Sequence, residues 1–155
     1  MKILQINSVC GVTGTGRIVT DLYDTAVSGG HDCMIAYGEH KFHNDPGGRK
    51  TIEIGSMQDC RMHAMATRLW DAQGFASRRA TIEFLKKVEE YHPDVVHLHN
   101  LHGYYINIEL LFRYLKQKMR LQDQKKYLEK MQYKPNEELK SNSRSGICCE
   151  QEYPQ

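Results

Sequence analysis

Residues Ser8 to Gly16 read SVCGVTGTG, with glycines at 11, 14 and 16 directly after a short apolar run. Such glycines let a backbone turn sharply and come close to a ligand. Thr13 and Thr15 add hydroxyl donors, and Arg17 adds a two-pronged cation. A helix that follows offers free N–H groups and partial positive charge, which suit phosphate. Gly14, Thr15, Gly16 and Arg17 are therefore the candidate ligand loop, weighed against a plain strand-to-helix connection. The spacing is G-x-x-G-x-G, and no G-K-[ST] follows, so a dinucleotide site and P-loop hydrolysis are both disfavoured.

A second cluster, His97, His99 and His102, lies in VVHLHNLHG. On a strand, His97 and His99 point to one face. Two such histidines with His102 as a third ligand could hold zinc. No carboxylate or cysteine stands at a diagnostic spacing, so the sequence favours a cleft-lining role and no metal. Asn100 and Asn107 would offer donors and acceptors to sugar hydroxyls or an amide.

These residues need elements to position them. Lys2 to Asn7 (KILQIN) predicts a strand, and Arg17 onward predicts a helix with Ile18, Val19, Leu22, Tyr23 and Ala26 as its apolar positions, stopped by Gly29-Gly30. His31 to Tyr37 predicts a second strand, which completes a βαβ unit with a parallel pair. Thr51 to Ile54 reads as a short strand. Met57 to Ala72 reads as a helix with Cys60, Ala64, Ala66, Leu69 and Trp70 at helical spacing, and Trp70 reads as core. Its methionines read as packing, with contact to a membrane surface as the alternative. Ser77 is expected to cap a helix over Arg78 to Tyr91, whose Arg78-Arg79 pair reads as solvated, with contact to a phosphate or an acidic membrane surface as the alternative. Asp94 to His99 predicts a further strand, and Ile106 to Lys116 begins another helix, with Gln117 to Gln132 as a polar continuation. The alternation predicts an α/β fold, a Rossmann-like parallel sheet with helices on both faces. Only three or four strands are legible where five or more are usual.

The chain has 155 residues, 40% hydrophobic and 26% charged, with a formal net charge of +2. That is globular composition for one domain. Near-neutral charge gives no pointer to nucleic acid or to an anionic membrane. No apolar run is long enough to span a bilayer, and the start lacks the pattern of a signal peptide. Five cysteines, at 10, 33, 60, 148 and 149, read as reduced cytosolic thiols. The averages hide a split. Of the first 115 residues 51 are apolar, against 11 of the last 40. Residues 1–116 are therefore expected to hold the core. Residues 117–155 are expected to be a polar helical or disordered tail.

Three segments carry a resemblance. MKILQINSVCGVTGTGRIVTDLYD, SGGHDCMIAYG and HPDVVHLHNLHGYYINIELLFRYLK resemble the N-terminal domain of bacterial family 4 glycosyltransferases of capsule and exopolysaccharide synthesis. The resemblance covers Met1 to about Lys116. It implies the first of two Rossmann-like domains flanking a cleft. It also implies a retaining transfer of sugar from a nucleotide donor to a saccharide or lipid-linked acceptor. No essential metal or other cofactor is implied, and the enzyme would work in the cytoplasm, at the inner face of the membrane. Gly14, Gly16 and Arg17 carry over to the donor phosphates. His97, His99 and Asn100 carry over only as cleft-adjacent.

Three departures bear on activity. Family members are more than twice this length. Their T-x-H-D motif after the YLK helix has no counterpart, since no histidine follows His102. The donor-binding domain, with the groups that stabilise the leaving diphosphate, is missing as well. The chain is therefore expected to be inactive alone, lacking a C-terminal domain or a partner chain that supplies it. A frameshift or early stop near residue 116 would account for the change of composition, as would a divergent tail. The alternative reading is a non-catalytic α/β module that binds phosphate ligands or a partner chain.

Overall fold

The structure, a computed structural model, describes residues 1–132. The chain divides into two units, Met1–Lys116 and Gln117–Gln155. The first contains β1 (Lys2–Ile6), α1 (Thr13–Ser28), β2 (Asp32–Tyr37), β3 (Thr51–Glu53), α2 (Met57–Trp70), α3 (Arg78–Tyr91), β4 (Val95–Leu98) and the start of α4 (Ile108–Gln132). From the second unit, the described residues are the rest of α4. The expected polar helical or disordered tail from residue 133 onward, with Cys148 and Cys149, lies outside the described residues.

The four strands form one parallel sheet in the order β3-β2-β1-β4. This is the Rossmann-like α/β arrangement the alternation predicts. Ile6 pairs with Ala36 on one side and Leu98 on the other. The chain moves outward from β1 to β2 and β3, then returns to the far side of β1 as β4. The strand order thus reverses between β1 and β4, where a crevice opens at the strands' carboxyl ends.

Strand periodicity divides the core into two layers. Leu4, Ile6, Ala36 and Ile52 face Cys60 of α2, Phe84 and Val88 of α3, and Leu111 of α4. Cys33, Ile35 and Tyr37 face Val19 and Tyr23 of α1. Apolar residues therefore alternate sides along β2, as a sheet covered on both faces requires.

Several local expectations are corrected. Helix α1 starts at Thr13, not Arg17, so Gly14, Thr15, Gly16 and Arg17 form its first turn. The loop proper is shorter, running from Asn7 to Val12. Ile18 and Leu22 are exposed, and the buried face of α1 is Gly16, Val19, Thr20 and Tyr23. In α2 the inward residues are Cys60 and His63, while Leu69 and Trp70 are 62% and 74% exposed. The sequence pattern failed there because α2 has apolar residues on both sides and meets the core with only one. Ser77 occupies the N-cap position of α3 but makes no capping bond with its side chain. Its hydroxyl instead meets His63 Nδ1 at 2.8 Å. The cap that does form is at α2, where Ser56 Oγ accepts the Asp59 N–H and Asp59 Oδ2 accepts the Ser56 N–H.

Candidate functional site

The crevice between β1 and β4 holds a pocket of about 330 Å³. Three connections build it. The loop after β1 brings Ser8, Val9 and the start of α1, with Thr13 and Thr15 on the wall. The loop after β2 brings Glu39, Lys41 and Phe42. The loop after β4 brings Asn100, His102, Gly103 and Tyr104.

Buried polar side chains set the shape of these loops. Asn7 is fully buried; its Oδ1 accepts the Asn100 N–H at 3.1 Å and its Nδ2 donates to the Val9 carbonyl at 2.7 Å. Asn100 Nδ2 donates to Ser8 Oγ at 3.3 Å, and Asn100 Oδ1 accepts the His102 N–H at 3.0 Å. Asn44 ties the second loop to the first: its Oδ1 accepts the Cys10 N–H at 2.8 Å. Gly11 has φ +70°, and a Cβ there would stand 1.9 Å from the Asp45 carbonyl oxygen. Only glycine allows that approach. Gly14 is the opposite case, with nothing within 4 Å of its Cβ position. Its open side is free for a ligand.

Glu39 is the buried charge of the site, 3% exposed. Its Oε1 accepts the Tyr104 N–H, and its Oε2 lies 3.5 Å from Lys41 Nζ. Gly103 makes room for it, since a Cβ there would meet Glu39 Oε1 at 2.3 Å. A desolvated carboxylate held by one backbone donor and one lysine can still accept hydrogen bonds from a ligand's hydroxyls. Phe42 and Tyr104 add aromatic surface, so the pocket combines an apolar wall with a few convergent polar groups.

The histidine cluster does not converge. The His97 and His99 rings stack with centroids 4.0 Å apart. His99 Nε2 meets Gln5 Oε1 at 2.9 Å, and burial followed by the neighbouring His97 pushes the His99 pKa down. His97 is the register partner of Gln5 on β1, His99 follows β4, and neither ring is part of the pocket wall. His102 does line it, and its Nε2 is 3.0 Å from Gln73 Nε2. Among the described residues no group of three or more His, Cys, Asp or Glu side chains could hold a metal. Asn107 is buried and committed: it donates to the Phe75 carbonyl and accepts the Leu110 N–H at 2.9 Å, capping α4. It offers nothing to a sugar.

No family model, curated protein or solved structure matches this chain.

Of the candidate loop residues, Thr15 reaches the pocket wall, whereas Gly14, Gly16 and Arg17 stand beside it in the first turn of α1. Gly16 serves packing, since a Cβ there would lie 3.2 Å from Gly11 N and Val9 Cγ2. Sequence reasoning missed Glu39, Lys41, Phe42 and Tyr104. One signal was available: loops that leave neighbouring strands at the same end of a parallel sheet open on one crevice. The segment after Tyr37 and the segment after Leu98 are such loops, leaving the two strands that flank β1. Among the described residues, no helix is long and apolar enough to cross a membrane.

Proposed function

We propose that this chain is the acceptor-side domain of a retaining, nucleotide-sugar-dependent glycosyltransferase of bacterial surface polysaccharide synthesis, inactive by itself. The observation that carries the reading is the pocket's position at the reversal of strand order, with the N-terminus of α1 on one wall and Glu39 on the other. That position suits a saccharide acceptor lying against Glu39, Asn100 and His102. The open side of Gly14, with Thr13 and Thr15, suits a donor phosphate at the rim. The motif order quoted above supports the family assignment. In this reading the donor half belongs to a C-terminal domain or a partner chain. The proposed setting is the cytoplasmic face of the membrane.

The test is a titration of the isotope-labelled chain with mono- and disaccharides at tens of millimolar, followed by amide NMR. The amides of Glu39, Gly103 and Tyr104 are expected to shift. Incubation with uridine, guanosine and thymidine diphosphate hexoses is expected to give no transfer. Saccharides that leave those amides unmoved, or turnover by the chain alone, would overturn the reading. Translation of the gene's downstream flank in all three frames tests the origin of residues 117–155. A T-x-H-D motif and a donor domain in another frame are expected.

One observation favours the alternative of a module that binds a partner chain. β4 is an edge strand, Val95 is 43% exposed and His97 is exposed, so both its backbone edge and one of its faces are open. A clean monomer with a cooperative melt supports a self-sufficient module. Aggregation supports an incomplete enzyme.

A further inference from the structure

Helix α2 buries one narrow face and turns a second apolar face outward. Met62, Met65 and Leu69 recur at helical spacing and are 60%, 47% and 62% exposed. Trp70 follows at the end of the helix, and Phe75 in the next loop is also exposed. Single exposed apolar residues need no explanation; five on one helix and its following loop do.

These side chains are held on a rigid support. The α2–α3 loop that carries Phe75 is pinned from beneath by two fully buried polar residues. His63 Nε2 accepts the Gly74 N–H at 3.2 Å, and Asn107 donates to the Phe75 carbonyl. The Phe75 N–H donates to the Ala72 carbonyl at 3.0 Å. The fold thus commits interior hydrogen bonds to a loop whose large side chain faces water.

Charge indicates what covers this surface. Arg61 and Arg68, seven residues apart, run along one border of the apolar stripe, and Arg78 begins the next helix. All three are exposed, and among the described residues none makes an ion pair. Arg79 pairs with Glu83. Of the two acidic residues in the segment, Asp59 is taken up by the α2 cap and Asp71 sits at the helix end. Apolar side chains with a tryptophan at the border and arginines beside them form an interfacial pattern: the apolar groups enter the acyl boundary and the cations stay among headgroups.

We propose that the outer face of α2, with Trp70 and Phe75, docks on the surface of a bilayer rich in anionic lipid. The geometry places this face beside the pocket, because Gln73, three residues past Trp70, contacts His102 on the pocket wall. A membrane-docked chain would present the pocket to headgroup-level substrates. The inference stands on the exposed face itself and does not require the saccharide reading.

Trp70 is the chain's only tryptophan and reports directly on insertion. The full chain is mixed with vesicles of phosphatidylcholine alone or with about a third phosphatidylglycerol. Co-sedimentation and a blue shift of Trp70 emission are expected with the anionic vesicles, at least tenfold more strongly than with the neutral ones. Each of Arg61→Gln and Arg68→Gln is expected to weaken binding about fivefold. The double variant Met65→Ser/Leu69→Ser keeps the reporter and is expected to lose binding at least tenfold with an unchanged circular dichroism melt. Absence of a blue shift at saturating lipid, or equal binding by the double variant, overturns the proposal. So does lipid-independent dimerisation that the double variant abolishes, which assigns the face to a second copy. Neither outcome alters the saccharide titration, so the two readings fail separately.

Discussion

Asn7 and Asn100 lie 93 residues apart and are joined where β1 and β4 end: Asn7 Oδ1 accepts the Asn100 N–H at 3.1 Å. This bond fixes the crevice at the reversal of strand order. Asn7 is fully buried, and its removal takes the partner from both the Asn100 N–H and the Val9 carbonyl. Asn7→Ala is expected to cost about 1–3 kcal/mol in urea denaturation. A neutral result would show that the loop ends are held by something else.

Two glycines three residues apart are expected to behave in opposite ways. Gly11→Ala places a Cβ 1.9 Å from the Asp45 carbonyl oxygen at a φ of +70°, a forced contact in a strained conformation. A loss of at least about 1–3 kcal/mol is expected. Gly14→Ala meets nothing within 4 Å and is expected to leave stability within about 0.5 kcal/mol. Any weakening of phosphate or nucleotide-sugar binding by Gly14→Ala would then be a site effect. Thermal melts of the two variants side by side decide the matter.

Glu39→Gln keeps an oxygen for the Tyr104 N–H and removes the charge beside Lys41. The fold is expected to survive, with a cooperative melt, while saccharide affinity falls at least tenfold by NMR titration. Retained affinity would remove Glu39 from the site. Glu39→Ala is expected to destabilise as well, because the Tyr104 N–H then loses its acceptor.

His63 makes stability depend on pH. Its Nε2 accepts the Gly74 N–H, so the buried ring is held neutral with the proton on Nδ1, facing Ser77 Oγ. Burial pushes its pKa below the usual 6.5. The unfolded chain therefore takes up a proton first as pH falls. The contribution of His63 is complete above about pH 6.5 and declines as pH drops from there toward the lowered folded pKa. His99, also shifted down by burial, adds in the same direction. Melts between pH 5 and 8 are expected to show this decline, shallower in His63→Gln. An equal slope in the variant would reject His63 as a source.

Truncation should separate the two faces of the α-helical layer. Phe84, 1% exposed in the core beneath α3, is expected to cost about 3–5 kcal/mol as alanine. Leu69→Ser, on the outer face of α2, is expected to stay within about 0.5 kcal/mol. A large loss at Leu69 would mean that its face is covered.

Much of the architecture was legible in the sequence. The βαβ start followed from a strand pattern, a glycine cluster, a helical repeat and Gly29-Gly30, all local signals set by backbone sterics and side-chain period. Helix α3 follows the predicted Arg78 to Tyr91 because Ala80, Phe84 and Val88 define one inward face and Pro93 closes the element. The start of α1 was misread because Thr13 to Gly16 carry loop-type residues, and only the docking of that turn against Val9 and Gly11 makes them helical.

What the tertiary structure decided is which apolar residues are inside and which polar residues share a crevice. Helical spacing cannot say which of two apolar faces on α2 meets the sheet; the contacts of Cys60 and His63 settle it and leave Met62, Leu69 and Trp70 outside. The role of Asn107 as a buried cap, and of Glu39 as the buried carboxylate of the pocket, depends on partners 32 and 65 residues away. Local sequence sets the elements because a turn or strand is stabilised within its own few residues. The site is assembled from three loops that meet only when the parallel sheet orders β1 between β2 and β4, and that order is a property of long-range packing.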